Sequence, residues 1–433
     1  MSATPTISEN VRNLSFEDLK AAVVGTAAAF RCRRRLQPGG GEGDKVFPPT
    51  FAGAVYAVEQ RRVSGREQPV TCVLLDSVQS QANRMEQALQ EALDADEIPL
   101  PIVTVDFSQY GPTGDLEKDA KEGRLLDAIG KVTSLQVPHR LADAILRDSE
   151  HNGEPFRKSA AARALNQASA LNATPLYELC PTALIFGMWD STGPKGGLGA
   201  KFERAAASEV IGFGVELGDL LRGVRRDPLE IRANVKVRRL DQEDPTGRAF
   251  EVLGPEAKGG VSPSALNHSS VPFPKTRDKK TDENQYAGVT IAYAEQITTL
   301  SLICLRRLRF PVDRPTPDQN AADAAGRVAL AALGLSAATL AFESGMGLRS
   351  RCLLWPDGPM HWELLAKPGE APKAFALGVA GAKKLLADAV AAAEKSGLTW
   401  RTKPLALKPS KELLKLVRLS QQQAVKQGTA EES

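Results

Sequence analysis

Between residues 69 and 107 the hydrophobic pattern changes period twice, and this limits the chain to folds that mix strands with helices. "PVTCVLLDS" at 69–77 is a short apolar run of the kind that forms a buried strand. "VQSQANRMEQALQEAL" at 78–93 then places Val78, Ala82, Met85, Ala88, Leu89 and Leu93 at helical spacing. "IPLPIVTVDF" at 98–107 returns to strand. Elsewhere the pattern predicts a helix over 15–36, opened by a Ser15 cap with Asp18 three positions on and stopped by "LQPGGG". Helical segments are predicted within 122–149, with Pro138 as a first-turn proline, and a basic amphipathic helix over 155–173. "PTALIFGMW" at 181–189 reads as an apolar strand, 200–213 as a helix, and "IRANVKVRRL" at 231–240 as a half-buried strand with a cationic face. Residues 286–310 read as strand then helix, 337–356 as two strands about a glycine turn, and 372–397 as an amphipathic helix closed by Gly397. No internal repeat or heptad interrupts this order, so the class is α+β or α/β, with several insertions.

The cysteines narrow the setting. Cys32, Cys72, Cys180, Cys304 and Cys352 stand singly with no CxxC, which argues against a disulfide framework or a zinc ribbon and for a reducing compartment. The polar N-terminus lacks a signal-peptide layout, and the alanine-rich run at 328–342 is too short to span a bilayer. A soluble cytoplasmic protein with no membrane partner is expected.

The net charge of the 433 residues is only +3, but the cations are gathered. Arg31, Arg33, Arg34 and Arg35, Arg61–Arg62, Arg222–Arg226, the face of 232–238, Lys275–Lys280 and Arg306–Arg309 each form a cluster. Segregated cations suit a polyanion, because every neutralised phosphate releases counterions. The pattern does not separate RNA from DNA.

"FGMWDSTGPKGGLGAKFERA" at 186–205 is the sharpest local feature. Gly199 is followed by Ala200 and Lys201, and the hydroxyls Ser191 and Thr192 precede the glycines, so neither a Walker A loop nor a dinucleotide fingerprint fits. Two readings stand: a plain strand–helix turn, or a nest of amides around Gly196 and Gly197 with Lys195 and Lys201 against a nucleic-acid phosphate. Asp190 beside it has no visible catalytic partner. Gln79, Gln81, Asn83 and Arg84 crowd the start of the 78–93 helix, where they either bond phosphates, sugars and base edges or decorate a capped surface helix. His139 precedes Arg140 and a helix; His268 sits on a long Gly-, Pro-, Ser- and Lys-rich loop at 241–285. The scattered histidines show no metal-ligand spacing, and no nucleophile motif is evident, so neither metal, cofactor nor catalytic residue is assigned.

"VFPPTFAG", "LLDSVQSQANRMEQAL", "PHRLADAILRDS", the 183–213 stretch and "KGGVSPSALNH" together resemble the RAMP-superfamily backbone subunit (Csb family) of type I-G, formerly I-U, CRISPR effector complexes. The resemblance covers about residues 14–310. It implies an α+β fold with an RRM-like, ferredoxin-type palm with inserted finger- and thumb-like elements, taken as one domain over 1–410; the last stretch, 411–433, reads by itself as a fraying, partly disordered tail. The 241–285 loop, with Lys258, Gly259, Gly260 and His268, is the candidate thumb. It implies copies stacked head to tail along one CRISPR RNA, an open helix whose length the RNA sets. Other subunits (a large subunit and a fused crRNA-processing subunit) and target DNA paired to the guide complete the implied partners, in antiviral defence. The expected role is non-catalytic, with Arg31, Arg33, Arg34, Gln79, Gln81, Asn83, Arg84, His139, Arg140, Ser191, Thr192, Lys195, Gly196, Gly197, Lys201, Arg204, Lys258 and His268 as RNA contacts. The alternative is a metal-dependent RAMP-type nuclease acting on RNA through scattered carboxylates.

Overall fold

The computed structural model describes residues 11–52, 55–193, 196, 199–217, 227–232, 234–240, 248–254, 259–266, 268, 288–312 and 318–430. Ser15 opens helix α1 (Phe16–Val24) as predicted: its Oγ accepts from Asp18 N at 3.2 Å, and the Asp18 carboxylate accepts from Ser15 N at 3.3 Å. The helix then stops at Gly25, and residues 29–38 form strand β1 (Ala29–Pro38) instead of continuing it. Phe30, Cys32, Arg34 and Leu36 are buried while Arg33 and Arg35 are exposed, a period of two that a helix cannot produce.

β1 organises a nine-stranded sheet. The other strands are β2 (Val58–Arg61), β3 (Val70–Asp76), β4 (Ala206–Phe213), β5 (Tyr293–Ser301), β6 (Met346–Arg349), β7 (Cys352–Pro356), β8 (His361–Leu365) and β9 (Lys373–Ala376). The main path runs β6-β7-β1-β5-β4-β3-β2, every pairing antiparallel. β5 pairs with β1 from Ala29↔Ser301 to Leu36↔Ala294. On its other side β1 is shared: residues 36–38 pair with β7, residues 29–31 with β8, and β8 carries β9.

Helices cover one face of this sheet. α2 (Val78–Asp94), α3 (Gln319–Phe342) and α4 (Val379–Lys395) pack there, with α3 between α2 and α4 and beside α1. α3 contains the alanine-rich run and is longer than that run, so its length and composition would suffice to cross a membrane, yet 78% of its most apolar window is buried inside the fold. Its small residues explain why it sits there. A Cβ on Gly334 would lie 3.0 Å from Leu300 Cδ1 on β5, and one on Gly326 would lie 2.8 Å from Phe310 Cδ2. Helix and sheet approach too closely for larger side chains.

A second sheet of five strands joins Lys131–Thr133, Val103–Asp106, Leu405–Pro409, Ser149–His151 and Glu154–Pro155, with 405–409 parallel to 103–106. The stretch beyond it, expected as a fraying tail, forms helix α5 (Lys411–Ala430). Leu413 is buried at its start, and Gln421 Oε1 accepts from Leu126 N at 2.8 Å.

The α+β class holds, and several local expectations change. Residues 181–189 are a short buried helix (Thr182–Phe186) followed by the two-residue strand Met188–Trp189, and 200–213 are strands, Lys201–Phe202 and β4. Apolar runs of this length fit either period, and pairing with β5 decides for strand. The 155–173 segment is broken into turns and the one-turn helix Ala160–Arg163, which lets Phe156, Ala162 and Leu165 all reach the core. Residues 122–149 hold the strand 131–133, a tight turn at Arg140–Ala142 and the short helix Ala144–Arg147 capped by Asp143. Within 231–240 only Val237–Arg239 is strand, paired with Phe250–Val252, and Ala233 lies outside the described residues. At 337–356 the first six residues belong to α3, and the strands are β6 and β7. Most of the 241–285 loop, Lys258 included, lies outside the described residues.

Candidate nucleic-acid interface

The glycine-rich stretch is the tip of a hairpin. Met188 pairs with Phe202 and Trp189 with Lys201, and no helix follows, so no helix N-terminus faces the loop. The hairpin leaves the core at Gly187. Its φ of +83° and the nearness of Phe202 O, 3.2 Å from where a Cβ would lie, both demand glycine. Beneath it Arg140 Nη1 donates to Gly187 O at 3.0 Å, while Nε and Nη2 each donate to a Glu86 oxygen at 2.7 Å. Both partners are buried. Burial pushes the Glu86 carboxyl up from its ordinary value, and the Arg140 charge and hydrogen bonds pull against that. Arg204 Nε donates to Phe186 O at 3.2 Å; burial and the nearby Arg140 charge pull its guanidinium down. Arg140 and Arg204 therefore fix the root of the hairpin, and Arg140, only 8% exposed, is not a surface contact as expected.

The loop interior already holds an anion of its own. Asp190 is buried and ion-paired with Arg157 Nη2. Asp190 N donates to Ala200 O at 2.9 Å and closes the loop. A Cβ on Gly193 would collide with Asp190 Oδ2 and Arg157 Nη2, and one on Gly199 with Asp190 O. These two glycines make room for the buried pair. Among the described residues of the loop, the space beside Gly193 and Gly199 is taken by Asp190.

What the hairpin presents outward is different. Trp189 is 53% exposed, and the Lys201 Nζ lies 5.2 Å from its ring centroid. An indole face with an ammonium beside it suits a stacked base and its phosphate. Ser191 and Thr192 are exposed in the turn and Gly196 adopts φ +53°; Lys195 and Gly197 lie outside the described residues. His139 is exposed next to Arg140, whose turn packs against the Met188–Trp189 strand. The structure thus puts Trp189, Ser191, Thr192 and Lys201 on one hairpin, with His139 exposed just before the turn that packs against its first strand. Trp189 and Arg157 escape a sequence reading. Taking 181–189 as a buried strand hides the indole, and Arg157 is separated from Asp190 by a broken segment that reads as one helix.

The remaining candidates sit elsewhere. Arg31 and Arg33 project from the sheet face opposite the helices, with Arg35. Each is ion-paired: Arg31 with Glu363 at 2.7 Å, Arg33 with Glu295 at 2.7 Å, Arg35 with Asp357 at 3.4 Å. Arg35 also lies over the Tyr293 ring at 4.3 Å, and Trp355 stands exposed on β7. This face is a mosaic of balanced charge, not an unopposed cationic track. Arg34 points the other way, against the expectation of an RNA contact. Its Nη1 donates to Phe342 O and its Nη2 to Glu343 O at 3.4 Å, closing the end of α3, and burial pulls its guanidinium down.

On α2, Gln79 and Asn83 are exposed, but Gln81 and Arg84 turn inward, again unlike the expected contacts. Buried Asp76 accepts from Gln81 Nε2 at 2.6 Å and Arg84 Nε at 2.9 Å, with Arg349 Nη2 at 3.4 Å. Gln81 Oε1 accepts from Ser208 Oγ at 2.8 Å and Gln296 Nε2 at 3.0 Å. These bonds stitch α2 to β3, β4 and β5. His268 lies edge-on to Phe250, with ring centroids 4.9 Å apart. Among the described residues no group of three or more His, Cys, Asp or Glu side chains is placed to hold a metal ion.

Fold and site together define an α+β protein that displays an aromatic–cationic hairpin beside an antiparallel sheet with helices packed on one face. Residues 30–217, which include that hairpin, match the family model described as CRISPR-associated protein GSU0053 (Cas_GSU0053). The match spans less than half of the chain. No curated protein matches the chain.

Proposed function

We propose that this protein is a non-catalytic guide-RNA-binding backbone subunit of a type I-G CRISPR effector complex, built on an RRM-like palm. It lines up head to tail along the guide and offers it to target DNA. The observation that carries this reading is the exposed Trp189–Lys201 pair on a hairpin rooted in the core, inside the segment that matches a CRISPR-associated family. A scaffold for arbitrary guide sequences must grip sugar, phosphate and base faces without reading base edges, and an indole beside an ammonium does that. Asp190, the carboxylate nearest the loop, is buried against Arg157, a position that suits a structural role and not a hydrolytic one.

Fluorescence anisotropy with a labelled guide RNA over a range of salt tests the reading. Trp189→Ala is expected to weaken binding by about 1–3 kcal/mol, the worth of one stacked base. Lys201→Ala is expected to flatten the slope of log K against log salt by roughly 0.7, one single-strand phosphate contact. Wild-type affinity and slope in both variants would overturn the assignment of the hairpin. RNA cleavage by the purified chain in magnesium would overturn the non-catalytic role.

A further inference from the structure

The C-terminal helix and the segment it docks on enclose a second cationic site, unrelated to the hairpin. A cleft of about 580 Å³ lies between them, lined by Gln109, Tyr110, Arg124, Lys411, Lys415 and Arg418 among others. That volume is in the range of small-ligand sites. Lys411, Lys415 and Arg418 fall at i, i+4 and i+7 on α5 and so share one helix face. The facing wall is held in place: Arg124 Nη1 donates to Gln109 O at 3.0 Å and Gly111 O at 2.9 Å, and its Nε to Glu122 at 2.7 Å. Gln421 clamps helix to wall, accepting from Leu126 N at 2.8 Å and donating to Asp127 O at 3.2 Å.

The charges in this cleft are not balanced from within. Among the described residues, Glu122 is the one carboxylate in its lining, and Arg124 already engages it. Lys411 and Lys415 are exposed and make no ion pair among the described residues. Arg418 is poorly satisfied: its Nε is buried without an acceptor, and both Nη atoms reach Ala120 O only at 3.5 Å, beyond the usual N–H···O range. Three converging cations with donor capacity in reserve call for a phosphate. Half-buried Tyr110 and Leu414 supply an apolar wall beside them.

We propose that this cleft binds a nucleotide, its phosphate held by Lys411, Lys415 and Arg418 and its base or ribose against Tyr110 and Leu414. The same chemistry is offered by a free mononucleotide and by the 5′-phosphorylated end of a strand. Isothermal titration of the full chain at low salt with AMP, a 5′-phosphorylated dinucleotide, the same dinucleotide without its phosphate, and inorganic phosphate tests the proposal. Saturable one-to-one binding of AMP or of the phosphorylated dinucleotide is expected, falling at least tenfold in the Lys411→Ala, Lys415→Ala double variant, whose side chains are exposed. AMP binding assigns a free nucleotide, and binding of the phosphorylated dinucleotide alone assigns a strand end; either supports the site. Inorganic phosphate binding as tightly as both nucleotides, an unphosphorylated dinucleotide binding equally well, no binding at all, or unchanged affinity in the double variant overturns it.

Discussion

Arg33 and Arg34 are neighbours in the chain and end on opposite faces of the sheet. One meets Glu295 at a surface; the other is buried against the end of α3. Strand periodicity alone causes the difference, since adjacent side chains alternate across a sheet. The same residue type therefore serves as a surface ion pair, a helix-end cap, and, in Arg140, a buried strut. An exposed pair such as Arg33–Glu295 contributes little, because solvent screens it. Arg140 is different, since its removal strands Glu86 in the interior. Arg140→Ala is expected to cost about 3–5 kcal/mol in urea unfolding, and Arg33→Ala less than about 1 kcal/mol. Equal midpoints for the two variants would contradict the strut. A basic cluster was legible at 31–35, but which of its members face solvent was not, because that follows from the conformation of the backbone.

At the scale of elements, α3 and the hairpin make opposite demands on sequence. α3 needs smallness, because it is packed on several sides. Gly326→Val is expected to force Phe310 and Leu398, whose atoms lie 2.8 and 3.0 Å from the new Cβ, out of place. Overpacking of this kind costs about 1–3 kcal/mol, to be read as a lowered urea midpoint with unchanged slope. The hairpin needs glycine at 193, against the buried Asp190–Arg157 pair, and at 199, against Asp190 O. "GPKGGLG" suggests an anion cradle by composition; Asp190, just ahead of the turn and matched by a distant arginine, lies against two of its glycines, Gly193 and Gly199. The strand at 69–77 and the helix at 78–93 were legible because period and length agreed. The 200–213 stretch was not, since small and apolar residues such as Ala206, Val210 and Gly212 suit either element until a partner strand is present.

In the whole molecule the C-terminus returns to the middle. Residues 405–409 add a parallel strand to the small sheet, and α5 then covers the 109–127 segment. Truncation after Pro409 is expected to uncover the apolar surface that buried Leu413 seals and to lower the thermal midpoint by about 1–2 °C, as about 1–2 kcal/mol does in a chain of this size. An unchanged midpoint would mean that α5 is an appendage. The mixed class, the absence of a disulfide framework motif and the clustering of cations are written into local pattern and composition, since period, spacing and charge need no partner to be read. Which arginines are struts, that a buried aspartate lies against Gly193 and Gly199, and that Lys411, Lys415 and Arg418 face a walled cleft were settled only by tertiary structure. Each depends on two segments distant in the chain meeting in space, and hydrophobic burial decides that meeting over the chain as a whole.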